Sequence, residues 1–342
     1  MSVLAVCIIS CSQQPAVSAD NDEPQYFCLK DSADCRIAEV LDPWHGGKVL
    51  ARYTIERPLT RIAVTSATHI GCLKELGRMD VIVAMTNPNL LYNVPEQAIA
   101  DIGEDIHINI EQLMLSQPEA VFVTSYGQEM ANMERIRQAG IEVIEMVEWM
   151  EQSPIARAQW LRFVAAFIGE TDKADSILEA MTENYYRLAE LRKTPMKPAE
   201  NVTIMSGASF RGTWYVPSGS TFMGRLFRDA GARYVFDKET TIGSIPLTTE
   251  KALQSFADAD VWVGCNAKNM AELKALDEKH TWLQSYQNRR VYSFYKSQNA
   301  TGGNDFWETG FVHPDYILSD LIWAMYPERL ADYQPHFIQH LE

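Results

Sequence analysis

The sequence predicts an α/β protein of two Rossmann-like lobes with mainly parallel sheets, joined by a single long rigid helix. Apolar strands alternate with helices in both halves, one extended helical segment separates the halves, and a short acidic phrase occurs once in each half. A chain of 342 residues is long enough for two domains of ordinary size. The expected division is a leader and tether at 1–20, an N-terminal extension at 21–58, a first lobe at 59–152, a spine helix at 153–193 and a second lobe at 194–342.

The N-terminal extension contains a turn at Asp42–Gly47 and an expected edge strand at Val49–Tyr53. The α/β pattern begins after Pro58. Gly77 ends the first helix, because glycine readily adopts the left-handed conformation found just after a helix. The predicted elements of the first lobe are strands Arg61–Thr65, Val81–Ala84, Ala120–Thr124 and Ile141–Met146, and helices His69–Leu76 and Glu129–Gln138.

The segment from Pro154 to Arg192 carries apolar residues at every third or fourth position, which is the period of an amphipathic helix. About 35 helical residues extend about 50 Å, the dimension of a whole domain. We therefore expect a rigid spine between the lobes, interrupted near Gly169.

The second lobe repeats the alternation of strands and helices. Gly231 ends one of its helices as Gly77 does in the first lobe. Its predicted elements are strands Asn201–Ser206, Arg233–Phe236 and Arg290–Phe294, and helices Thr221–Ala230, Met270–Leu276 and Pro314–Met325.

The acidic phrase is a short helix followed by an apolar strand. Its first copy runs from Asn109 to Val123 and its second from Thr248 to Val263. Each copy places a carboxylate, Glu111 or Glu250, in the first helical turn, where the amide dipoles favour negative charge. An ordinary helix start explains either copy alone, whereas the pair indicates two similar lobes with an acidic residue at an equivalent place.

The N-terminus resembles a bacterial lipoprotein signal. The apolar run Val3–Ser10 is too short to span a bilayer and leads to Cys11, the expected site of lipidation, although no Lys or Arg precedes the run. A disordered apolar tail is the alternative. Cys28 and Cys35 could form a disulfide in an oxidising envelope, whereas Cys72 and Cys265 lie in apolar stretches that favour buried thiols.

Composition and motifs exclude several functions. The net charge of −15 argues against nucleic-acid binding, which needs clustered positive charge. The sequence contains no glycine-rich nucleotide loop, no G-x-S-x-G and no H-E-x-x-H, so we predict no enzymatic activity and no cofactor.

The order of lobe, long helix and lobe with paired Glu phrases resembles the periplasmic substrate-binding proteins of ABC importers for cobalamin, ferric siderophores and haem. The segment from Asn304 to Glu308, followed by His313-Pro314-Asp315, resembles the iron-complex binders of that family. The resemblance implies a monomer, tethered in the periplasm or cell envelope by its lipid. It also implies that Glu111 and Glu250 dock to arginines of the permease, which works with an ATPase.

The resemblance further implies that a metal chelate binds between the lobes, where loops after the strand carboxyl ends face one another. Aromatic rings stack on a large planar complex, and Arg211 pairs with an anionic chelate. The expected ligand-binding residues are Ser66, His69, Asn87, Tyr92, Tyr126, Arg211, Trp214, Tyr295, Asn304 and Trp307.

Three alternatives remain open at this point. A binder of free zinc or manganese would bring at least three histidines and a carboxylate together in the cleft. His69 and His107 could reach the rim of the first lobe, whereas His313 precedes a helix that it could cap. A chelatase-like enzyme would have a similar cleft, and His69 could instead be the axial ligand of a haem iron. A binding module without a transporter is the third.

Overall fold

The computed structural model describes residues 21–32, 34–105, 107–128, 133–193 and 202–342. Within these ranges the chain forms two α/β lobes, each built on a five-stranded sheet, which confirms the predicted fold class. The elements up to the spine are strands β1 (Phe27–Asp31), β2 (Arg36–Leu41), β3 (Val49–Ile55), β4 (Ile62–Val64), β5 (Ile82–Met85), β6 (Ala100–Asp101), β7 (Gly103–Glu104), β8 (His107–Ile108), β9 (Ala120–Thr124) and β10 (Glu142–Met146), and helices α1 (Ala67–Glu75), α2 (Ile110–Leu115) and α3 (Met133–Gln138).

The spine and the second lobe follow the same alternation. The spine contains helices α4 (Pro154–Ala158), α5 (Trp160–Ile168) and α6 (Thr171–Glu190). The second lobe contains strands β11 (Thr203–Ser206), β12 (Ala208–Phe210), β13 (Thr213–Pro217), β14 (Arg233–Tyr234), β15 (Ser244–Thr248), β16 (Val261–Val263), β17 (Val291–Ser293) and β18 (Gln339–His340), and helices α7 (Phe222–Asp229), α8 (Thr249–Ser255), α9 (Met270–Leu276), α10 (Gln284–Gln287), α11 (Asp305–Glu308) and α12 (Pro314–Met325).

The two large sheets share one strand order. The first lobe has the order β10-β9-β4-β5-β6, all parallel, and the second has β14-β11-β16-β17-β18, in which only β18 is antiparallel. Without the two-residue edge strands β6 and β18, and numbered in chain order, the remaining four strands of both sheets have the order 2-1-3-4. In each lobe the acidic helix, α2 or α8, leads directly into the third of these four strands. The repeated phrase therefore marks equivalent positions of two similar lobes.

The prediction of a single long spine helix was wrong. Residues 153–193 fold as three helices, with breaks at Gln159 and Gly169. The expected interruption at Gly169 is confirmed: this residue has a φ of +76° and ends α5. The longest segment, α6, has 20 residues and spans about 30 Å. It packs against α5 and α12, so the spine is a packed layer of helices.

The N-terminal extension forms an antiparallel sheet, β1-β2-β3, of which the sequence predicted only the last strand. The ring of Phe27 packs edge-on against Trp160 of α5 at 4.9 Å between centroids. The buried carboxylate of Glu151, just before α4, accepts the backbone amides of Gln25 and Tyr26 at 3.0 and 3.2 Å. The extension is thus fixed to the helices between the lobes, and one continuous apolar core runs from it through the spine into the second lobe.

Candidate functional site

The candidate site lies at the carboxyl ends of the parallel strands. Strand order reverses between β4 and β9 in the first lobe and between β11 and β16 in the second. The loops that leave these strands carry Ser66, Tyr126 and Asn266. In open α/β sheets ligands bind in the crevice at such a reversal. A cavity of about 30 Å³, lined by Trp149 of the first lobe and Ser220 of the second among others, shows that the two lobes face each other here.

The wall of the first lobe is aromatic. Tyr126 is 54% exposed, and its ring centroid lies 5.8 Å from that of Trp149. Trp149 donates its indole N–H to the backbone oxygen of Ser125 at 3.0 Å. Trp44 of the N-terminal extension packs on Trp149 at 6.2 Å, a contact that the sequence analysis missed. The local signal for it is Gly127, where a Cβ atom would come within 2.7 Å of the Trp44 ring.

Ser66 is held by a chain of hydroxyl contacts. It caps α1, and its Oγ lies 2.9 Å from the hydroxyl of Thr68, which donates to Glu148 Oε1 at 3.0 Å. Glu148 is buried, and burial raises the pKa of its carboxyl. The guanidinium of Arg157 in α4 lies nearby and stacks on the ring of Phe222, 4.2 Å away in the second lobe. The buried Glu148 and the half-buried Arg157 were not among the residues predicted from the sequence.

Arg211 lies at the tip of the β12–β13 hairpin. Arg211 and Gly212 have φ values of +50° and +83°, the left-handed conformations of a two-residue hairpin turn. The guanidinium of Arg211 lies 5.1 Å from the centroid of the exposed Phe210 ring. No carboxylate forms an ion pair with Arg211 in the described part of the chain. The Arg211 side chain is exposed to solvent.

Trp214 is a correction. Side chains alternate between the two faces of a strand, and along β13 Trp214 points into the core while Tyr215 points outward. Trp214 is 0% exposed and donates its indole N–H to the oxygen of Ser206 at 3.1 Å, whereas Tyr215 is 45% exposed. The aromatic side chain that β13 offers to solvent is therefore Tyr215.

His69 and Asn304 are also corrections, because both are buried and do not reach a cleft surface. His69 packs on Phe122, and burial lowers its pKa to about 3, so its imidazole is neutral at physiological pH. This placement does not suit an axial ligand of haem. Asn304 caps α11 by accepting the amide of Phe306, and its Nδ2 donates to the oxygen of Phe294 at 2.7 Å.

The other predicted ligand residues lie at or near the surface. Asn87 is half-buried, with a φ of +49°, after β5. Tyr295 follows β17 and its hydroxyl lies 3.5 Å from Oδ1 of Asn266. Trp307 is 61% exposed and packs edge-on against Phe306.

Tyr92 belongs to a seam at which the lobes touch. Its backbone amide and that of Asn93 donate to the Glu308 carboxylate at 2.7 and 3.0 Å. Gly71 of α1 lies so close to the backbone of Glu308 that a Cβ atom would fall 2.1 Å from its oxygen. The seam joins the loop after β5 and helix α1 to the turn around α11.

His313 is a second bridge across this seam. Its Nε2 lies 3.2 Å from Glu75 of α1, and its Nδ1 lies 3.6 Å from Asp315. Burial alone would lower the pKa of His313, but the Asp315 and Glu75 carboxylates raise it to about 9. The imidazolium therefore forms an ion pair between the lobes at neutral pH, and His313 is not a free metal ligand.

The two acidic residues occupy matching places at the helix starts. Asn109 caps α2 by accepting an amide hydrogen bond at 3.2 Å, and Thr248 caps α8 at the same distance. Glu111 and Glu250 follow in the first turns and are exposed. A helix that leads into a parallel strand begins at the carboxyl edge of the sheet. Both carboxylates therefore lie on the same edge of their lobes as the candidate cleft.

Several predictions concern residues away from this edge. Cys11 lies outside the described residues. No disulfide joins Cys28 to Cys35 in the structure, since the Cys28 thiol lies opposite Glu39 on β2 and donates to its carboxylate. Cys72 and Cys265 are buried thiols, as predicted.

Two kinds of feature are absent from the described ranges. None of the helices there combines the length and the apolar character that crossing a bilayer needs. The same ranges hold no group of three or more His, Cys, Asp and Glu side chains that could bind a metal ion.

The sequence matches a known protein family and a curated relative. The family model described as "periplasmic binding protein" matches residues 62–297. An uncharacterized lipoprotein of Methanocaldococcus jannaschii is 22% identical over 328 residues, covering 92% of this chain and 75% of that protein.

Solved structures share the fold at low identity. A periplasmic heme-binding protein from Pseudomonas aeruginosa has a TM-score of 0.61 at 16% identity, with 83% of this chain and 98% of that chain covered. The molybdate-bound periplasmic binding protein of a Haemophilus influenzae ABC transporter has a TM-score of 0.62 at 19% identity, with 83% and 91% covered.

The matching family model describes binding proteins and not enzymes, which confirms the prediction that this chain is not an enzyme. The family model spans more than half of the sequence, including both acidic helices. The chain therefore belongs to the periplasmic binding protein family.

Proposed function

We propose that this chain is the substrate-binding lipoprotein of an ABC importer for an iron complex or a related metal chelate. The ligand class is a ferric siderophore, haem or cobalamin. The protein captures it between the lobes and delivers it to the membrane permease and its ATPase. It acts as a monomer in the periplasm or cell envelope, tethered through a lipid on Cys11.

The observation that carries the ligand class is the kind of side chain at the carboxyl edges. The first lobe offers the aromatic pair Tyr126 and Trp149, and the second offers Trp307 and the stacked Phe210 and Arg211. Flat rings and a guanidinium suit a large, partly anionic complex, through stacking and paired hydrogen bonds. Free zinc prefers a tetrahedral set of thiolate, imidazole and carboxylate ligands, and these side chains do not supply it.

Two solved structures with the same fold bind different ligands, which supports a metal chelate as one possible class without selecting a single compound. The Pseudomonas aeruginosa protein is described as binding heme, and the Haemophilus influenzae protein as binding molybdate. One fold thus accepts a flat chelate and a small oxyanion. The loops after the strands, which carry Tyr126 and Arg211 here, would make the choice.

The docking role rests on the exposed carboxylates. Glu111 and Glu250 lie in the first turn of equivalent helices, at the same edge of each lobe. Exposed carboxylates remain charged and form paired hydrogen bonds with arginine. One acidic contact from each lobe would orient the cleft over the permease.

A ligand screen tests the proposed function. Purified full-length protein is titrated with haemin, cobalamin, several ferric siderophores, molybdate, zinc and manganese, and tryptophan fluorescence and thermal unfolding are recorded. We expect one metal chelate to bind with micromolar or tighter affinity and to raise the unfolding temperature, since a ligand that binds only the folded state stabilises it.

The variant Trp307→Ala should weaken that binding about tenfold, because it removes an exposed ring from the second lobe's edge. The matched control is Trp282→Ala, which removes a tryptophan that is 66% exposed elsewhere on the same lobe. Binding of zinc or manganese alone, or no binding of any chelate, would contradict the proposed ligand class.

A further inference from the structure

Glu111 stands beside two large apolar side chains that are open to solvent. Residues three and four apart are neighbours on a helix surface, and Met114 and Leu115 are at these distances from Glu111. Met114 is 51% exposed and Leu115 is 75% exposed. No ion pair with Glu111 is present among the described residues. The first acidic helix thus presents a charge and an apolar patch together.

Glu250 has an apolar neighbour from a different element. Lys279 Nζ lies 3.9 Å from Glu250 Oε1, and Lys279 belongs to the short 3₁₀ helix Glu278–Trp282. Side chains three apart in a 3₁₀ helix lie directly above one another. Trp282 therefore lies on the same face of this helix as Lys279, the residue that contacts Glu250, and it is 66% exposed.

Such a combination is typical of a protein contact surface. Large apolar side chains exposed together, with polar groups around them, mark interaction sites, and tryptophan is the residue type most enriched at interface hot spots. The occupant has to be cationic, since the carboxylates of Glu111 and Glu250 and a chain charge of −15 would repel an acidic partner.

We propose that the apolar side chains Leu115 and Trp282 anchor the protein on its permease, next to the arginines that pair with Glu111 and Glu250. This rests on the proposed function, because the occupant is the outer face of the ABC permease. The partner surface would carry, at each lobe, an arginine flanked by an apolar side chain. Charge then orients the encounter, and the apolar contacts hold the complex.

The test measures docking and ligand binding separately. Candidate permeases of the iron-complex class from the source organism are placed in nanodiscs with their ATPase and titrated with the full-length protein without ligand. We expect Trp282→Ala to weaken docking about 30-fold and Leu115→Ala about fivefold, with the ligand affinity of both variants unchanged.

Two controls match the exposure of these residues. Val49→Ala removes an apolar side chain, 48% exposed, from the N-terminal sheet and should leave docking unchanged. Trp307→Ala should give the reciprocal result, a loss of ligand affinity with docking intact, because the proposed function assigns this tryptophan to the ligand. Circular dichroism and the unfolding temperature check that each variant is folded.

Three other outcomes would contradict the apolar anchors, the proposed function or the permease as the partner. If the wild-type protein docks and Trp282→Ala and Leu115→Ala dock equally well, the apolar anchors are excluded while the proposed function stands. If wild-type protein binds no candidate permease, the proposed function itself fails. If sedimentation shows a dimer that Trp282→Ala dissociates, the patch holds a second copy of the chain and the permease assignment is overturned.

Discussion

Helices α2 and α8 begin alike and differ in what surrounds their carboxylates. Both are capped by a polar side chain that accepts an amide hydrogen bond at 3.2 Å, and both place a glutamate in the first turn. Glu111 has apolar neighbours on its own helix, whereas Glu250 lies 3.9 Å from Lys279 of a separate 3₁₀ helix. The equivalent positions are therefore not equivalent surfaces.

The duplicated phrase determines how each helix begins, but it does not determine which side chains surround the glutamate. The phrase sets the cap, the first turn and the following strand, all of which depend on neighbours in sequence. The electrostatic and apolar surroundings come from residues such as Trp282, more than one element away. We infer that the lobes contribute unequally to docking.

The largest expected effect is that of the double charge reversal Glu111→Arg with Glu250→Arg. Both contacts become repulsive toward permease arginines, so we expect docking to weaken more than about 100-fold and uptake to cease. Ligand affinity should remain unchanged, because both carboxylates lie outside the proposed ligand contacts. Nanodisc titration and ligand uptake by proteoliposomes measure the two quantities.

The matched control for this variant reverses two exposed glutamates on α6, Glu179→Arg with Glu183→Arg. It changes the net charge by the same amount without touching either acidic helix. Equal losses in both double variants would attribute the effect to net charge, and normal uptake by the first would remove the docking role.

The second prediction concerns the inequality of the two lobes. Glu111→Gln should weaken docking about tenfold and Glu250→Gln only about threefold, because Lys279 already offsets part of the charge of Glu250. Glutamine keeps the size of the side chain, so packing is preserved. Equal effects of the two substitutions, or a larger one at Glu250, would show that Lys279 does not weaken this contact.

The sequence predicted the elements that local patterns define. Strands and helices of both lobes, the interruption at Gly169 and the acidic helix starts follow from periodicity and capping, and the structure has them. The prediction of a single spine helix failed at Gln159, because the helix stops there although the apolar period of three to four residues continues. The spacing of apolar residues predicts which face of a helix is buried, but it does not predict where the helix ends.

The site was harder to predict because exposure depends on neighbours far away in sequence. Trp214 and Tyr215 are adjacent aromatic residues in a strand, and only the packing of Trp214 on Trp262 decides which one faces inward. His69 is buried against Phe122, some 50 residues on. Trp44 reaches Trp149 from an extension for which only one strand was expected. These contacts join residues that are far apart in sequence, so the periodicity of neighbouring residues does not predict them.

The third prediction tests the part that the two helices share. Asn109→Ala and Thr248→Ala each remove a cap that accepts one amide hydrogen bond, so each should lower the free energy of unfolding by about 1 kcal/mol. Urea unfolding followed by circular dichroism measures both losses. Asn109→Asp serves as the control, because aspartate caps as well as asparagine and should cost little. Losses that differ several-fold would mean that the two helix starts are not equivalent.

The smallest expected effect is that of Lys279→Gln, which removes the cation beside Glu250. Exposed ion pairs contribute about 0–1 kcal/mol, and the Glu250 side chain in this pair is 77% exposed. We therefore expect docking to strengthen only about twofold, at low salt and not at high salt, because ions screen exposed charges. The matched control is Lys274→Gln, whose amine lies 3.9 Å from Glu278, a carboxylate with no proposed docking role. If Lys274→Gln strengthens docking equally, the effect reflects net charge alone. If only Lys279→Gln strengthens docking, Lys279 is the reason why the second acidic helix makes the weaker contact.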